Sequence, residues 1–532
     1  MSEKDNKESR SSEKLGGRIT VTRPTVRLGS GVKKESPVPV EKKENNTVNN
    51  TARNNEKQSA EATIKAQGNA QEGVGEQIEK EKINEEKDTS PKNSSREKDV
   101  SAPRQAYDFG AKLRDSKLSG FFKENKTVSA GKLLECGSVD IPLLMIFIML
   151  AMYGLVMVFS ASYAYAYSKE ENSYVFIKNQ IIYFVVGFMI VGLIVFFYDR
   201  VMNKGWIPAL VTLYFIGALG MLVLIFVPGF GIMEGETKRW LDLKFISLQP
   251  SEFAKGALIL FLALYFSRYE KKINKEKGFK TLLLGSFLPY GFSAVIVLLV
   301  FMENHTSGTI ILGLITIMMV FFGEKKHSFT LPVLAAGLIL VTVAIIYLMQ
   351  FDTPEKKAAA PGIVNKIVTH YSWKRIEIWL RPEDFSIRNE LWQTTQGIYA
   401  IGSGGFMGVG FGQSRQKHLF VSQPQNDFIF TIVCEEMGFV GALIVIVLFA
   451  ALIWRGYKVG ARIPDTFARL TVWGLTASIG MQAFLNMGVV TAILPNTGIS
   501  LPFFSYGGSS IISLMIEVGI ILALSRYARK DD

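Results

Sequence analysis

About ten stretches of this chain are long and apolar enough to cross a bilayer, and no other feature limits its possible folds as much. A hydrocarbon core takes roughly 20 apolar residues in helix. Such runs lie near residues 141–163, 180–198, 206–228, 251–267, 281–301, 307–323, 329–349, 429–454, 467–492 and 508–527. Inside lipid every backbone N–H and C=O must be bonded within the protein, so these runs predict helices rather than open strands. The expected fold class is therefore an all-α polytopic membrane protein of about ten transmembrane helices, occupying residues 139–528.

The 138 residues before that region have a different chemistry, rich in Lys, Glu, Asn and Ser with almost no aromatic side chains. They cannot bury enough apolar area to offset the entropy of ordering, which predicts a disordered tail over 1–138. No apolar run precedes Ile141, so no secretory leader is read there, and the tail is expected to remain cytoplasmic. Placing it inside puts Arg200 and Lys204, the cluster Arg268, Lys271, Lys272, Lys275, Lys277 and Lys280, the pair Lys325 and Lys326, and Arg455, Lys458, Arg462 and Arg469 in cytoplasmic loops. Arg526, Arg529 and Lys530 then follow the last span, while the short external loops hold only Lys169, Lys178, Lys238, Arg239 and Lys244. This is the positive-inside asymmetry, and it places both termini in the cytoplasm. It also accounts for the formal net charge of +12 without nucleic acid, for which no motif or aromatic context is present. Two cysteines, Cys136 and Cys434, make neither a disulfide framework nor a metal site, and His305, His327, His370 and His418 lack ligand spacing.

With that topology a large external loop, 350–428, joins the seventh and eighth helices. The stretch Trp379–Glu436 carries Glu383, Asp384, Arg388, Arg415, Lys417 and Asp427, which belong at water or along a polar cavity. Ile363, Ile367, Tyr371, Ile376 and Leu380 recur every four to five residues and predict a helix, either interfacial or merely an exposed linker, stopped by Pro382. A second helix is expected from Glu390 to Ile401. Gly402 to Gly412 holds six glycines, but no strand precedes them and no GK[ST] follows, so they read as backbone turns rather than a nucleotide loop.

Several ionisable groups lie in or beside the spans. Glu252 and Lys255 are three apart and share a helix face, either as a structural ion pair or as a functional one. Glu435 and Glu436 sit two turns into the eighth span, with at most one of them facing a given cavity, and Glu517 lies within the tenth; helix packing through hydrogen bonds is the alternative use. Asp384, beside Glu383 and flanked by Lys374, Arg375, Arg381 and Arg388, reads either as a solvated acidic turn or as a general base with cations at hand for an anionic leaving group.

Three further runs carry a resemblance: TKRWLDLKFISLQPSEFAK (Thr237 to Lys255), GSGGFMGVGFGQSRQKHLFVSQPQNDFIFTIVCEEMG (Gly402 to Gly438) and LPNTGISLPFFSYGGSS (Leu494 to Ser510). Together with VMVFSASYAYA at the end of the first span, they resemble the SEDS family of bacterial shape, elongation, division and sporulation proteins, in the branch of FtsW and SpoVE more than that of RodA. The similarity covers essentially 138–528. It implies a ten-helix peptidoglycan glycosyltransferase that polymerises lipid II at the outer face of the cytoplasmic membrane during septal wall synthesis. It also implies work alongside a class B penicillin-binding protein and other divisome proteins, among membrane lipid and without nucleic acid. A lipid II flippase, or a non-catalytic division scaffold, is the competing reading. The family's external-loop aspartate matches Asp384, with Glu383 as the substitute, although the proline and glycines that follow it in the family are absent from Phe385 to Gln393. Substrate-binding positions carried over are Arg239, Glu252, Lys255, Arg381, Arg388, Gln396, Lys417, Asp427, Ser505 and Ser509. No organic cofactor is implied; Arg381, Arg388, Lys417 or a divalent cation (Mg²⁺ or Mn²⁺) would steady the pyrophosphate.

Overall fold

The computed structural model describes residues 137–203, 205–234, 237–242, 247–275, 279–324 and 330–529. The disordered tail expected over 1–138 lies outside the described residues except for Gly137 and Ser138, as do Cys136, Lys204, Lys244, Lys277, Lys325, Lys326, His327 and Lys530.

Helices of 15 or more residues stand at all ten expected positions. They are α1 (Ile141–Glu170), α2 (Val175–Asn203), α3 (Ile207–Leu224), α4 (Pro250–Lys275), α5 (Leu288–Met302), α6 (Thr306–Gly323) and α7 (Thr330–Leu348), followed after the long loop by α12 (Ile429–Arg462), α13 (Thr466–Val490) and α14 (Gly508–Ser525). Between α7 and α12 lie α8 (Pro354–Ala359), α9 (Gly362–Thr369), α10 (Tyr371–Leu380) and α11 (Trp392–Gly404). Among the described residues, 7 helices are long and apolar enough to cross a membrane by length and composition: α1, α2, α3, α5 with its preceding π turn, α6, α12 and α14. In α7 the apolar stretch is shorter, Leu334–Leu348.

Two of the remaining helices, α4 and α13, are enclosed by others. Ala254, Ala257, Leu258, Ile259, Leu262 and Ala263 of α4 are fully buried, and α13 buries Thr471, Thr476, Ser478, Gln482 and Asn486. A helix surrounded by helices needs no lipid-facing stripe, and small and polar residues there permit close approach and interhelical hydrogen bonds. The most extensive packing is of α14 on α2, α12 on α13, α3 on α4, α11 on α12 and α5 on α6, followed by α1 on α12 and α13 on α4.

Charged clasps join one end of the bundle. Asp140 caps α1 through the Leu143 N–H at 3.0 Å, and its two carboxylate oxygens accept from Arg455 near the end of α12 at 3.0 and 2.7 Å. Arg526, just after α14, pairs with Asp199 of α2 at 2.8 Å, and its carbonyl accepts from the Gly137 N–H. At the other end the first turns of α4, α6, α12 and α14 converge.

One local element was not anticipated, and two local expectations are corrected. The loop after α3 forms a small antiparallel sheet, β1 (Gly231–Glu234), β2 (Thr237–Asp242) and β3 (Ser247–Leu248), with Leu241 opposite Leu248. Its strands are too short to display an alternation that separates them from loop. The single helix expected from Ile363 to Leu380 is two, α9 and α10, because His370 adopts an extended backbone and its Nδ1 accepts the Ser372 N–H at 3.2 Å, capping α10. The helix expected from Glu390 begins at Trp392 and runs on to Gly404.

Candidate functional site

A cavity of about 600 Å³ opens where those first turns meet. Strand β2 contributes Arg239 and Trp240; α4 contributes Ser251, Glu252 and Lys255; the α5–α6 turn contributes Asn304 and His305; and α10 contributes Arg375. Opposite them stand Gln423, Asn426 and Asp427 before α12, Gln482 of α13, and parts of the 498–510 segment.

The polar side chains are held from behind. Lys255 Nζ lies 3.1 Å from Glu252 Oε2 and donates to Gln482 Oε1 at 2.5 Å, while Ser510 Oγ donates to the same Glu252 oxygen at 3.1 Å. Gln482 in turn donates to Ser500 O. Arg239 Nη2 donates to Asn304 O at 3.0 Å, and Arg375 Nη1 to Asn496 O at 2.7 Å, so each guanidinium keeps a fixed approach to the cavity. Asp427 is enclosed beside both. Burial raises its carboxyl pKa, while Arg375 and Arg239 pull the other way. His305 is driven down to about 3 by burial and by Arg239 and Lys255, against the pull of Glu252, so its ring is neutral at physiological pH. Three cationic side chains and two carboxylates in one enclosed volume suit a ligand with both anionic and hydroxyl groups.

Of the residues singled out in the sequence, Arg239, Glu252, Lys255, Asp427 and Ser505 line this cavity. Ser505 is engaged structurally, accepting from the Leu501 N–H at 2.7 Å and donating to Asn426 O. Ser509 is buried and ties α14 to β3 by donating to Ser247 O at 2.9 Å. Gln396 is buried on α11. Arg381 does not line the cavity: it pairs with Asp352 at 3.2 Å and donates to Met349 O. Hydrogen bonds from Lys356 and then Arg381 hold the Asp352 carboxyl down to about 2. Arg388, Glu383 and Asp384 are exposed, the last two in the 3₁₀ turn Pro382–Asp384 that follows α10.

Lys417 is placed elsewhere altogether. Its ammonium is buried and lies 2.8 Å from Glu436 Oε1 and 3.2 Å from Ser160 Oγ. Ser160 also donates to Glu436, and Glu435 accepts from Ser414 Oγ and, at 2.9 Å, from the Arg415 N–H. Neither glutamate faces the cavity; both receive the returning loop. That loop docks at a break in α12, where Gly438 has φ 63°. The Val409 and Gly410 N–H groups donate to Glu435 O and Glu436 O, and the Phe439 N–H donates to Gly405 O. A Cβ at Gly404 would strike the Cys434 carbonyl, which explains a glycine there without any nucleotide.

Ser251, His305, Asn304 and Gln482 were missed as site residues by sequence reasoning, and Arg375 was noted only as a cation flanking Asp384. Gln482 could have been found as an amide within an apolar run. The others come from separate elements, with no spacing to link them.

Comparison with known proteins supplies the lineage. Residues 141–530 match the family model for FtsW, RodA and SpoVE, described as cell cycle protein. The chain belongs to the FtsW/RodA/SpoVE family. Stage V sporulation protein E of Bacillus subtilis (strain 168) is 34% identical over 393 residues, covering 74% of this chain and 98% of the relative. A probable peptidoglycan glycosyltransferase FtsW of Geobacter metallireducens is 34% identical over 397 residues, covering 74% and 96%. A solved chain from work on structural coordination of polymerization and crosslinking by a peptidoglycan synthase complex aligns with TM-score 0.56 at 22% identity, over 73% of this chain and 98% of that one. At that identity it establishes the shared fold. A multi-pass membrane protein of this family is thus in view, with its polar cavity at one end of the bundle.

Proposed function

We propose that this protein polymerises lipid II into glycan at the outer face of the cytoplasmic membrane, as a septal peptidoglycan glycosyltransferase. The observation that carries this is the cavity: Arg239, Arg375 and Lys255 beside Asp427 and Glu252, at the end of the bundle that the positive-inside reading assigns to the exterior. Relatives named as probable peptidoglycan glycosyltransferases support the same reaction. In it, a sugar hydroxyl attacks the anomeric carbon, the bond to the lipid pyrophosphate breaks, a base takes the hydroxyl proton, and cations hold the departing charge. Arg239 and Arg375 line the cavity and suit the pyrophosphate better than Arg381 or Lys417, which do not line it.

Asp384 is assigned the base, with Glu383 the substitute. In support, α10 carries Arg375 into the cavity wall and leads directly into the Pro382–Asp384 turn, whose two carboxylates are exposed to solvent outside the cavity lining. A divalent cation would be held chiefly through the pyrophosphate oxygens, with few protein donors beside them. Among the described residues no three His, Cys, Asp or Glu side chains cluster, and each cavity carboxylate already faces a cationic group. Ten spans, cytoplasmic termini, a septal location, a class B penicillin-binding protein and other divisome partners complete the reading.

Purified protein with labelled lipid II and its cognate penicillin-binding protein is expected to make glycan polymer even when penicillin blocks crosslinking. Asp384→Asn keeps the shape and removes the proton acceptor, so it should slow polymerisation about 10²- to 10⁴-fold. Stability at that exposed site should change by only about ±0.5 kcal/mol. Full activity of Asp384→Asn with loss in Glu383→Gln moves the base by one residue; full activity of both removes it from this turn. Lipid translocation in vesicles without polymer would support the transporter instead.

A further inference from the structure

The cavity contains one side chain whose polar end is both positioned and unused. His305 Nδ1 lies 3.0 Å from Ser251 Oγ, and both residues are buried. The ring has a built seat, since a Cβ at Gly308 would come within 2.6 Å of Nδ1 and 2.8 Å of Cε1. Among the described residues nothing is hydrogen-bonded to its other nitrogen, Nε2, which keeps exposed surface and opens to the cavity that His305 lines. Arg239 is anchored on the carbonyl of the preceding residue, Asn304.

We propose that His305 contacts the substrate, its Nε2 exchanging a hydrogen bond with a sugar hydroxyl of the glycolipid next to the phosphate that Arg239 holds. A hydroxyl is the group of choice because it both donates and accepts. It satisfies Nε2 whichever ring nitrogen carries the proton, and Ser251, also a hydroxyl, satisfies Nδ1 in the same way. A phosphate oxygen would fit only a proton-bearing Nε2, and an ammonium only a bare one. The ring's neutrality separates the roles: Arg239 supplies charge, and His305 supplies orientation. Ser251 acts through His305 and is a positioning residue.

This inference rests on the polymerase reading, and the test separates the two. Short-chain lipid II is titrated into purified full-length wild type, His305→Phe, His305→Gln and Ser251→Ala in detergent, measuring equilibrium binding, KM and kcat for polymer, and thermal melting. Phe fills the seat without a polar end, so KM and the dissociation constant should rise about five- to tenfold, the worth of one neutral hydrogen bond. Gln should recover at least half of that loss, and Ser251→Ala should show a smaller rise. The wild-type and His305→Gln pH profiles should superimpose, because the ring does not titrate in the working range. Unchanged binding and KM in a folded His305→Phe overturns the inference while leaving the polymerase reading intact. Should His305→Phe fail to fold, wild-type values in Ser251→Ala together with a Gln variant as weak as a deletion overturn it equally. A wild type that binds lipid II without polymerising it overturns the polymerase reading alone.

Discussion

Burial and two guanidinium groups act on the Asp427 carboxyl in opposite directions, and burial is the larger, leaving its pKa above the ordinary value. A carboxyl whose folded pKa is raised binds its proton more tightly in the folded state. It therefore contributes stability below the unfolded pKa and loses that contribution as pH rises through the folded one. Asp427→Asn removes the charge at nearly constant shape. It should melt above wild type at neutral pH, with the gap closing as pH falls through the raised pKa toward the acid range. A melting series against pH checks this; a variant less stable than wild type at neutral pH, with the deficit shrinking as pH falls into the acid range, would mean that Arg239 and Arg375 outweigh burial. Asp427 was legible as a polar residue at the mouth of a span, but its pairing with Arg239 and Arg375 was not, since Arg239 lies 188 positions away along the chain.

The returning loop and the broken helix α12 form one structural element, joined by Lys417, Glu436, Ser160, Ser414 and Glu435. Removing one partner of a buried pair leaves an uncompensated charge, which typically costs about 3–5 kcal/mol, whereas removing both with apolar residues of similar size is close to neutral. Lys417→Met should accordingly lower the melting temperature in detergent sharply, and Lys417→Met with Glu436→Leu should restore most of it. If Lys417→Met instead melts like wild type and loses only lipid II affinity, the lysine is a substrate ligand as the family resemblance implied. The sequence did show that Gly402–Gly412 had to be turns and that polar groups at Glu435 and Glu436 needed a purpose. It could not show that the loop supplies their partners, because a gap of 19 residues between Lys417 and Glu436 has no helical or strand period to betray the contact.

At the scale of the whole molecule, hydrophobic length placed all ten long helices to within a few residues at most ends, because the bilayer imposes that length regardless of tertiary detail. The cavity was not legible in the same way. Its walls come from β2, α4, the α5–α6 turn, α10 and α13, and only folding brings them together. The side of the membrane proposed for it rests on alternation. The clasps Asp140–Arg455 and Asp199–Arg526 gather the α1 start and the α2, α12 and α14 ends at one face, so the first turns of α4, α6, α12 and α14 stand at the other. Loop basicity assigns the clasp face to the cytoplasm. Single cysteines at exposed positions test this: Arg388→Cys, beyond α10, should react with a membrane-impermeant maleimide in intact cells, and Lys458→Cys, near the end of α12, only after permeabilisation. Cys434 is buried and contributes little background, and Cys136 is replaced by Ser in both variants so that it cannot report in place of the new thiol. The reverse pattern would put the cavity in the cytoplasm, where a polymerase of externally displayed lipid II could not work, and would turn the same cationic cavity into a loading site for a transporter.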